Sequence, residues 1–158
     1  METTRHFVAT VYVVQDGATL LHEHDRLDMW LPPGGHIERD ELPRAAASRE
    51  VAEETGLDVT LLSGGEEDPV ESATVEELPG PEHLLLEDIH VADGESVHQH
   101  IDFVYYGVAS DRALDPAPEE APADDWTWFD ADDLRSFDEL PADVRELGLE
   151  AIERGSGV

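Results

Sequence analysis

Gly35-His36-Ile37-Glu38-Arg39-Asp40-Glu41-Leu42-Pro43-Arg44-Ala45-Ala46-Ala47-Ser48-Arg49-Glu50-Val51-Ala52-Glu53-Glu54-Thr55-Gly56-Leu57 is the stretch on which the reading of this chain turns. From Glu41 to Thr55 it holds no glycine and only Pro43, which a helix tolerates in its first turn. Gly56 stands where a left-handed C-terminal cap belongs. The spacing predicts a helix over 41–55. On that helix Glu50, Glu53 and Glu54 fall at i, i+3 and i+4, within about 100° of one another. Ala47, Val51 and Thr55 form the adjoining apolar stripe, so the acidic face borders the core. Two like charges about 4 Å apart repel by about 4 kcal/mol at an effective dielectric of 20, and a divalent cation removes that cost. Hard oxygen donors at this density suit Mg²⁺, with Mn²⁺ as the alternative.

In a chain with 39 acids, three glutamates on one helix face read most simply as a solvated surface. The wider spacing argues otherwise. Residues 35–57 fit G-x5-E-x7-R-E-(apolar)-x-E-E-x-G-(apolar) at all nine specified positions over 23 residues, and this resembles the signature of the Nudix hydrolases. The likeness extends outward to Trp30-Leu31-Pro32-Pro33-Gly34, similar to the entry to that motif, and to Trp126-Thr127-Trp128-Phe129 with a short helix after it. What the resemblance implies is an α/β fold, the family's α/β/α sandwich with a mixed β-sheet. It also implies roles. Glu50, Glu53 and Glu54 would bind Mg²⁺ with the carbonyl of Gly35, Arg49 would orient the carboxylates, and Glu41 would support the site. Water would attack phosphorus in a diphosphate linked to another group, the base being a glutamate, with Glu50 favoured, or a metal-held hydroxide.

The substrate is less legible. The residue spacings associated in the family with ADP-ribose and dinucleoside polyphosphates are not filled downstream of the box, and no coenzyme A signature is present. A nucleoside triphosphate cleaved to monophosphate and pyrophosphate is the default, with an ADP-ribose or nucleotide-sugar hydrolase, or a non-catalytic nucleotide sensor, as alternatives. Trp30, His36 and His100 are candidate substrate contacts; Trp30 reads equally as core packing. His98 and His100 share a strand face with Asp102, and His22 and His24 form a similar pair, but an H-x-H pair alone is a weak metal signal.

Along the rest of the chain, residues 6–14 and 19–23 read as strands joined at Gln15-Asp16-Gly17, and 57–62, 83–91, 99–109 and 125–129 as further strands. The two glycines after Pro32-Pro33 permit positive φ and a close backbone approach. Residues 63–82 read as a mobile insertion, 111–124 as a linker, 131–135 as a helical turn and 141–154 as a C-terminal helix. The whole of 1–158 reads as a single domain.

Nine basic against 39 acidic side chains give a formal charge of -30. Such a field repels a nucleic-acid polymer, which needs Lys and Arg to displace its counterions. The longest apolar run, Phe7 to Val14, is eight residues, against about 20 for a membrane span. The N-terminus lacks the pattern of a secretory signal and there are no cysteines, so the expected compartment is the cytoplasm. The expected partner is a small nucleotide, with room for a homodimer. All nine basic residues are Arg, and an acidic, Lys-free chain resembles the soluble proteins of salt-accumulating halophiles. In molar salt the Debye length falls to about 3 Å and screens the self-repulsion.

Overall fold

The structure is a computed structural model that describes residues 2–24, 28–62 and 67–157. Its centre is β1 (Thr4–Gln15), which runs parallel to β7 (Glu95–Ala109) from Thr4↔His98 to Val14↔Val108. The other strand pairings among the described residues are antiparallel, so the sheet is mixed. At Asp16-Gly17 both residues take positive φ (49° and 75°), the geometry of a tight hairpin turn, and the chain returns as β2 (Ala18–His24). β2 then pairs with β3 (Met29–Leu31) and β8 (Trp126–Asp130). On the far side of β7 lie β5 (Val59–Leu61) and β6 (His83–Ala92).

The apolar run of β1 is continuous because both its faces are covered. Ala9, Val11 and Val13 join Ala46, Ala47 and Val51 of α1 (Pro43–Thr55) in one core. Tyr12 and Val14 join Leu134 of α2 (Ala131–Ser136) and Val144, Leu147, Ala151 and Ile152 of α3 (Ala142–Gly155) in the other. That is the expected α/β/α sandwich. The alanines of α1 let it lie close to the sheet, which brings its carboxylates near the backbone of β4 (Gly34–His36).

Helix α1 begins at Pro43, two residues later than the spacing predicts. A residue before proline is excluded from helical geometry, and Leu42 is extended (φ -74°, ψ 150°). Glu41 is thereby left in a turn, its side chain free to reach elsewhere. Gly56 takes φ 75° as the expected cap. Gly34 and Gly35, by contrast, do not use positive φ. Closeness is their reason: a Cβ on Gly34 would fall 2.6 Å from the Ala9 carbonyl oxygen, and one on Gly35 would fall 2.5 Å from the Glu50 carboxyl. Of the anticipated insertion, residues 67–82 are described and form no strand beyond a bridge between Glu71 and Glu76; residues 63–66 lie outside the described part, as do 25–27 of the loop before Trp30. Among the described residues no helix is long and apolar enough to cross a membrane.

Arginine–carboxylate ion pairs among the described residues gather around Arg49, Arg135 and Arg154, so most of the described acids have no arginine partner. We expect the melting temperature to fall as KCl is lowered from molar concentration to dilute buffer, followed by circular dichroism. A midpoint unchanged by salt would remove salt adaptation as the reason for the -30 charge.

Candidate active site

Arg49 organises the glutamates. Its guanidinium grips Glu41 with two bonds, Nε to Oε2 at 3.0 Å and Nη2 to Oε1 at 2.6 Å. Nη1 donates to Glu50 at 2.9 Å and to Glu53 at 3.2 Å, and Nη2 to the carbonyl oxygen of His36 at 3.1 Å. Five donors in a planar fork are thus shared among three carboxylates and the β4 backbone, which a lysine ammonium could not reproduce. Arg49 holds the Glu41 carboxyl below its ordinary value, and Glu41 in turn raises the pKa of the guanidinium, keeping it charged.

The three box glutamates divide. Glu53 is half exposed and turned to Arg49. Glu50, 14% exposed, lies against Gly35 and beside Glu54. Burial, and then the charge and hydrogen bond of Glu50, push the Glu54 carboxyl up to about 9, while a backbone hydrogen bond from Gly34 opposes the rise. Burial and the neighbouring carboxyl thus favour the protonated form of Glu54 in a partly dry site. Among the described residues no group of three or more histidine, aspartate or glutamate side chains stands as a ready-made metal cage. Glu50 and Glu54 meet beside Gly35, and Glu53, on the same helix face, is held together with Glu50 by Arg49. The donor set of Glu50, Glu54 and the Gly35 carbonyl fits a hard divalent cation, whose charge would take the place of the Glu54 proton.

A cavity of about 1050 Å³ reaches this site. β1 and β2 pair only next to their turn, Val14↔Thr19 and Gln15↔Ala18, and then part. The cavity occupies that opening and is lined from both cores, by Trp126 on the α1 side and by Tyr12, Val144 and Leu147 on the α3 side. Glu54, Gly34 and Gly35 form part of its wall.

Of the anticipated substrate contacts, His36 and His100 line the cavity, their rings 5.5 Å apart. His6 and His98 complete a cluster around them, with His6 Nδ1 3.2 Å from His36 Nε2. Burial, and then His36, His98 and His6, push His100 down to about 4, so it is neutral near pH 7. Trp30 lies elsewhere. It packs edge-on against Phe129 and Phe137, at ring distances of 5.4 and 5.7 Å, and its neighbours Met29 and Leu31 face the cavity instead. Hairpin alternation explains this, since side chains one residue apart point to opposite faces. His22 stacks on Trp126 at 4.2 Å.

Two features of the cavity are not legible in the sequence: the placing of Glu119 and Glu120 in its wall, and the meeting of Asp102 with Glu87. The segment taken as a linker closes over the end of α1: the Asp115 and Ala117 N–H groups donate to the carbonyl oxygens of Thr55 and Glu53, satisfying acceptors that a helix end leaves open. It carries Glu119 and Glu120 into the wall, and burial with the nearby Glu50 raises the Glu120 carboxyl. Nothing in the sequence sets these two apart from the other acids. The second is the pair Glu87 and Asp102, on β6 and β7, of which the sequence marked only Asp102, for its strand face shared with His98 and His100. Their adjacency requires the strand register Leu85↔Asp102, which only the paired strands reveal.

The sequence profile of the NUDIX domain matches residues 4–149. The chain is 30% identical over 135 residues to an RNA pyrophosphohydrolase of Bartonella clarridgeiae, covering 84% of this chain and 75% of that protein. A hydrolase of the NUDIX family from Clostridium perfringens superposes with a TM-score of 0.80 at 31% identity, over 96% of this chain and 98% of that one. A MutT protein from Methanosarcina mazei Go1, with a TM-score of 0.63 at 19% identity, over 100% of this chain and 99% of that one, shares the fold. With the box on α1, the mixed sheet between two helical layers and these relatives in agreement, the chain belongs to the Nudix hydrolases.

Proposed function

We propose that this single-domain enzyme is a Mg²⁺-dependent pyrophosphohydrolase that cleaves a free nucleoside triphosphate to the monophosphate and pyrophosphate. The observation that carries this reading is the Glu50–Glu54 carboxyl pair beside Gly35, in contact with a cavity large enough for a nucleotide. Nudix hydrolases generally use a divalent metal. Here Glu50, Glu54 and the Gly35 carbonyl would hold it, with Glu53 joining on release from Arg49. When bound, the cation supplies charge neutralisation at the phosphoryl oxygens and lowers the pKa of water.

The chain's own residues do the rest. Arg49 fixes Glu50 by hydrogen bond and is itself fixed by Glu41, so the base is presented in one orientation. Glu50 takes a proton from the attacking water, a new P–O bond forms, the bridging P–O bond breaks, and its electrons leave with pyrophosphate. His36 and His100 border the path, and His100, held neutral near pH 7, adds no charge to it.

The name of the Bartonella relative places that protein's cleavage on RNA. The charge of -30 argues for a free nucleotide here, since a long polyanion gains no counterion release on this surface. The same charge accords with an enzyme at work in the cytoplasm of a salt-accumulating cell. A panel of nucleoside triphosphates, ADP-ribose, nucleotide sugars and a 5′-triphosphorylated oligonucleotide, assayed with Mg²⁺ in molar KCl, tests the reading. Turnover of triphosphates to monophosphate and pyrophosphate is the expected result. Preference for the oligonucleotide would transfer the substrate to RNA ends, and tight binding with no turnover would make the chain a sensor.

A further inference from the structure

Strand β6 forms an edge of the sheet. One side of it pairs with β7; among the described residues no strand pairs with the other side, and no backbone hydrogen bond from another segment reaches it. Every second N–H and C=O of the strand therefore points outward, a template for a further strand. Such edges are commonly blunted by lysine, proline or a bulge, and β6 has neither lysine nor proline. Its pairing irregularities fall between Asp88 and Val91, toward the tip, so residues 83–88 run regularly along β7. Leu84 and Leu86 lie on the face that Phe103 shares with α1, and they are 60% and 62% exposed. Two leucines in solvent on an open edge stand out in a chain of 39 acids.

The order of side chains along this edge fits a second copy of itself. A two-fold axis normal to the sheet pairs β6 antiparallel with β6 of another copy and closes after two chains. Such an axis keeps each face on its own side, so only residues of one face oppose each other. Centred on Leu85, it sets Leu85 against itself, Leu84 against Leu86 of the second copy, and His83 against its Glu87. Asp88 then meets Glu82 of the second copy, which Arg154 already holds, so a cation stands where two acids approach. Centred on Leu84, the axis would oppose Leu86 to Glu82 and bring in Pro81, which has no N–H; centred on Leu86, it would oppose Leu84 to Asp88. The apolar pairs thus select one register.

We propose that β6 is a self-association edge, through which residues 82–88 join two copies of this chain into one continuous sheet. Leu85, Glu87 and Ile89 of the same strand line the cavity, so each copy braces a wall of the other's site. The contact is small, which makes the dimer reversible, and molar salt screens the repulsion between two bodies of charge -30.

Sedimentation velocity of the full chain in molar KCl, from low micromolar to near-millimolar concentration, should show a monomer–dimer equilibrium. Leu86→Glu, an exposed change that sets a charge against Leu84 of the second copy, should weaken it at least about tenfold with an unaltered circular dichroism spectrum. The chain has no cysteine, so Val91→Cys carries a single spin label. In the register centred on Leu85 the two labelled positions lie about 40 Å apart, six residues on either side of the axis at about 3.3 Å each. A separation outside roughly 30–45 Å would put another surface at the interface and overturn the proposal. An equilibrium indifferent to Leu86→Glu would do the same. A chain that stays monomeric throughout would also overturn it, and would leave the edge to a strand of a different protein.

Discussion

Replacing Glu54 by Gln is expected to lower kcat/KM at least about a thousandfold, roughly 4 kcal/mol of transition-state stabilisation, while making the metal-free protein more stable at neutral pH. The two effects have one cause. Glu54 is held at about 9 in the folded chain by burial and by Glu50, against about 4.3 in an unfolded one. Between those values the native state binds a proton that the unfolded state does not, so stability falls as pH rises through that window. Its contribution is complete below the unfolded pKa and lost toward the folded one. Gln at this position donates to Glu50 as the protonated acid does, with no proton to lose. Thermal unfolding from pH 5 to 9 in EDTA should show a gentler decline for Glu54→Gln, with a gain of roughly 1–3 kcal/mol near pH 7. A variant that hydrolyses its substrate at the wild-type rate would remove Glu54 from the metal site. A site whose ligands destabilise the empty fold is the expected signature of carboxylates assembled for a cation.

Arg49→Lys should be nearly as damaging as Arg49→Ala, each reducing kcat about a hundredfold or more. The guanidinium makes bonds to Glu41, Glu50, Glu53 and the His36 carbonyl at once, and an ammonium has neither the reach nor the planar geometry to hold them. Glu50 would then lose its fixed orientation, and an error of about 1 Å in a reacting group costs about a hundredfold. Water reaches one side of the network, so the loss of stability should be modest, about 1–3 kcal/mol by urea titration in molar KCl. Its pH dependence has the opposite sign to that of Glu54. Arg49 holds Glu41 below its unfolded value, so this pair stabilises fully above about pH 4.3 and is lost as pH falls through the folded pKa. Removal of Arg49 should therefore flatten the acid limb of the stability curve. Full activity in Arg49→Lys would show that a charge alone suffices and that the bidentate grip on Glu41 is incidental.

Most of the architecture could be read from local pattern. The β1 run, the Asp16-Gly17 turn, Pro43 and Gly56 each specify a backbone conformation through their own chemistry, and β1, β2 and α1 form within two residues of where that chemistry puts them, while the short strands β3 and β4 carry no such local signal. The departures are instructive. Helix α1 starts late because proline restricts the residue before it, and β7 begins at Glu95 because the Asp93-Gly94 turn zips it to β6 from the tip. Trp30 read equally as a stacking platform or as core packing, and alternation in β3 places it against Phe129 and Phe137 and presents Met29 and Leu31 to the cavity.

By itself, then, the sequence determined the box, its helix and the family, because those depend on spacings within 23 residues, where chain geometry ties position to direction. It did not determine how the box glutamates share their partners, nor that Glu119 and Glu120 close over them. It was equally silent on the meeting of Glu87 with Asp102. Those are decided by strand register and by contacts between segments far apart in the chain, where tertiary packing places one acid beside another and sequence distance carries no information. In a chain of 39 acids the same residue type is solvated almost everywhere and buried in a few places. Only the fold separates the two, by taking water away from some carboxyls and leaving it with the rest.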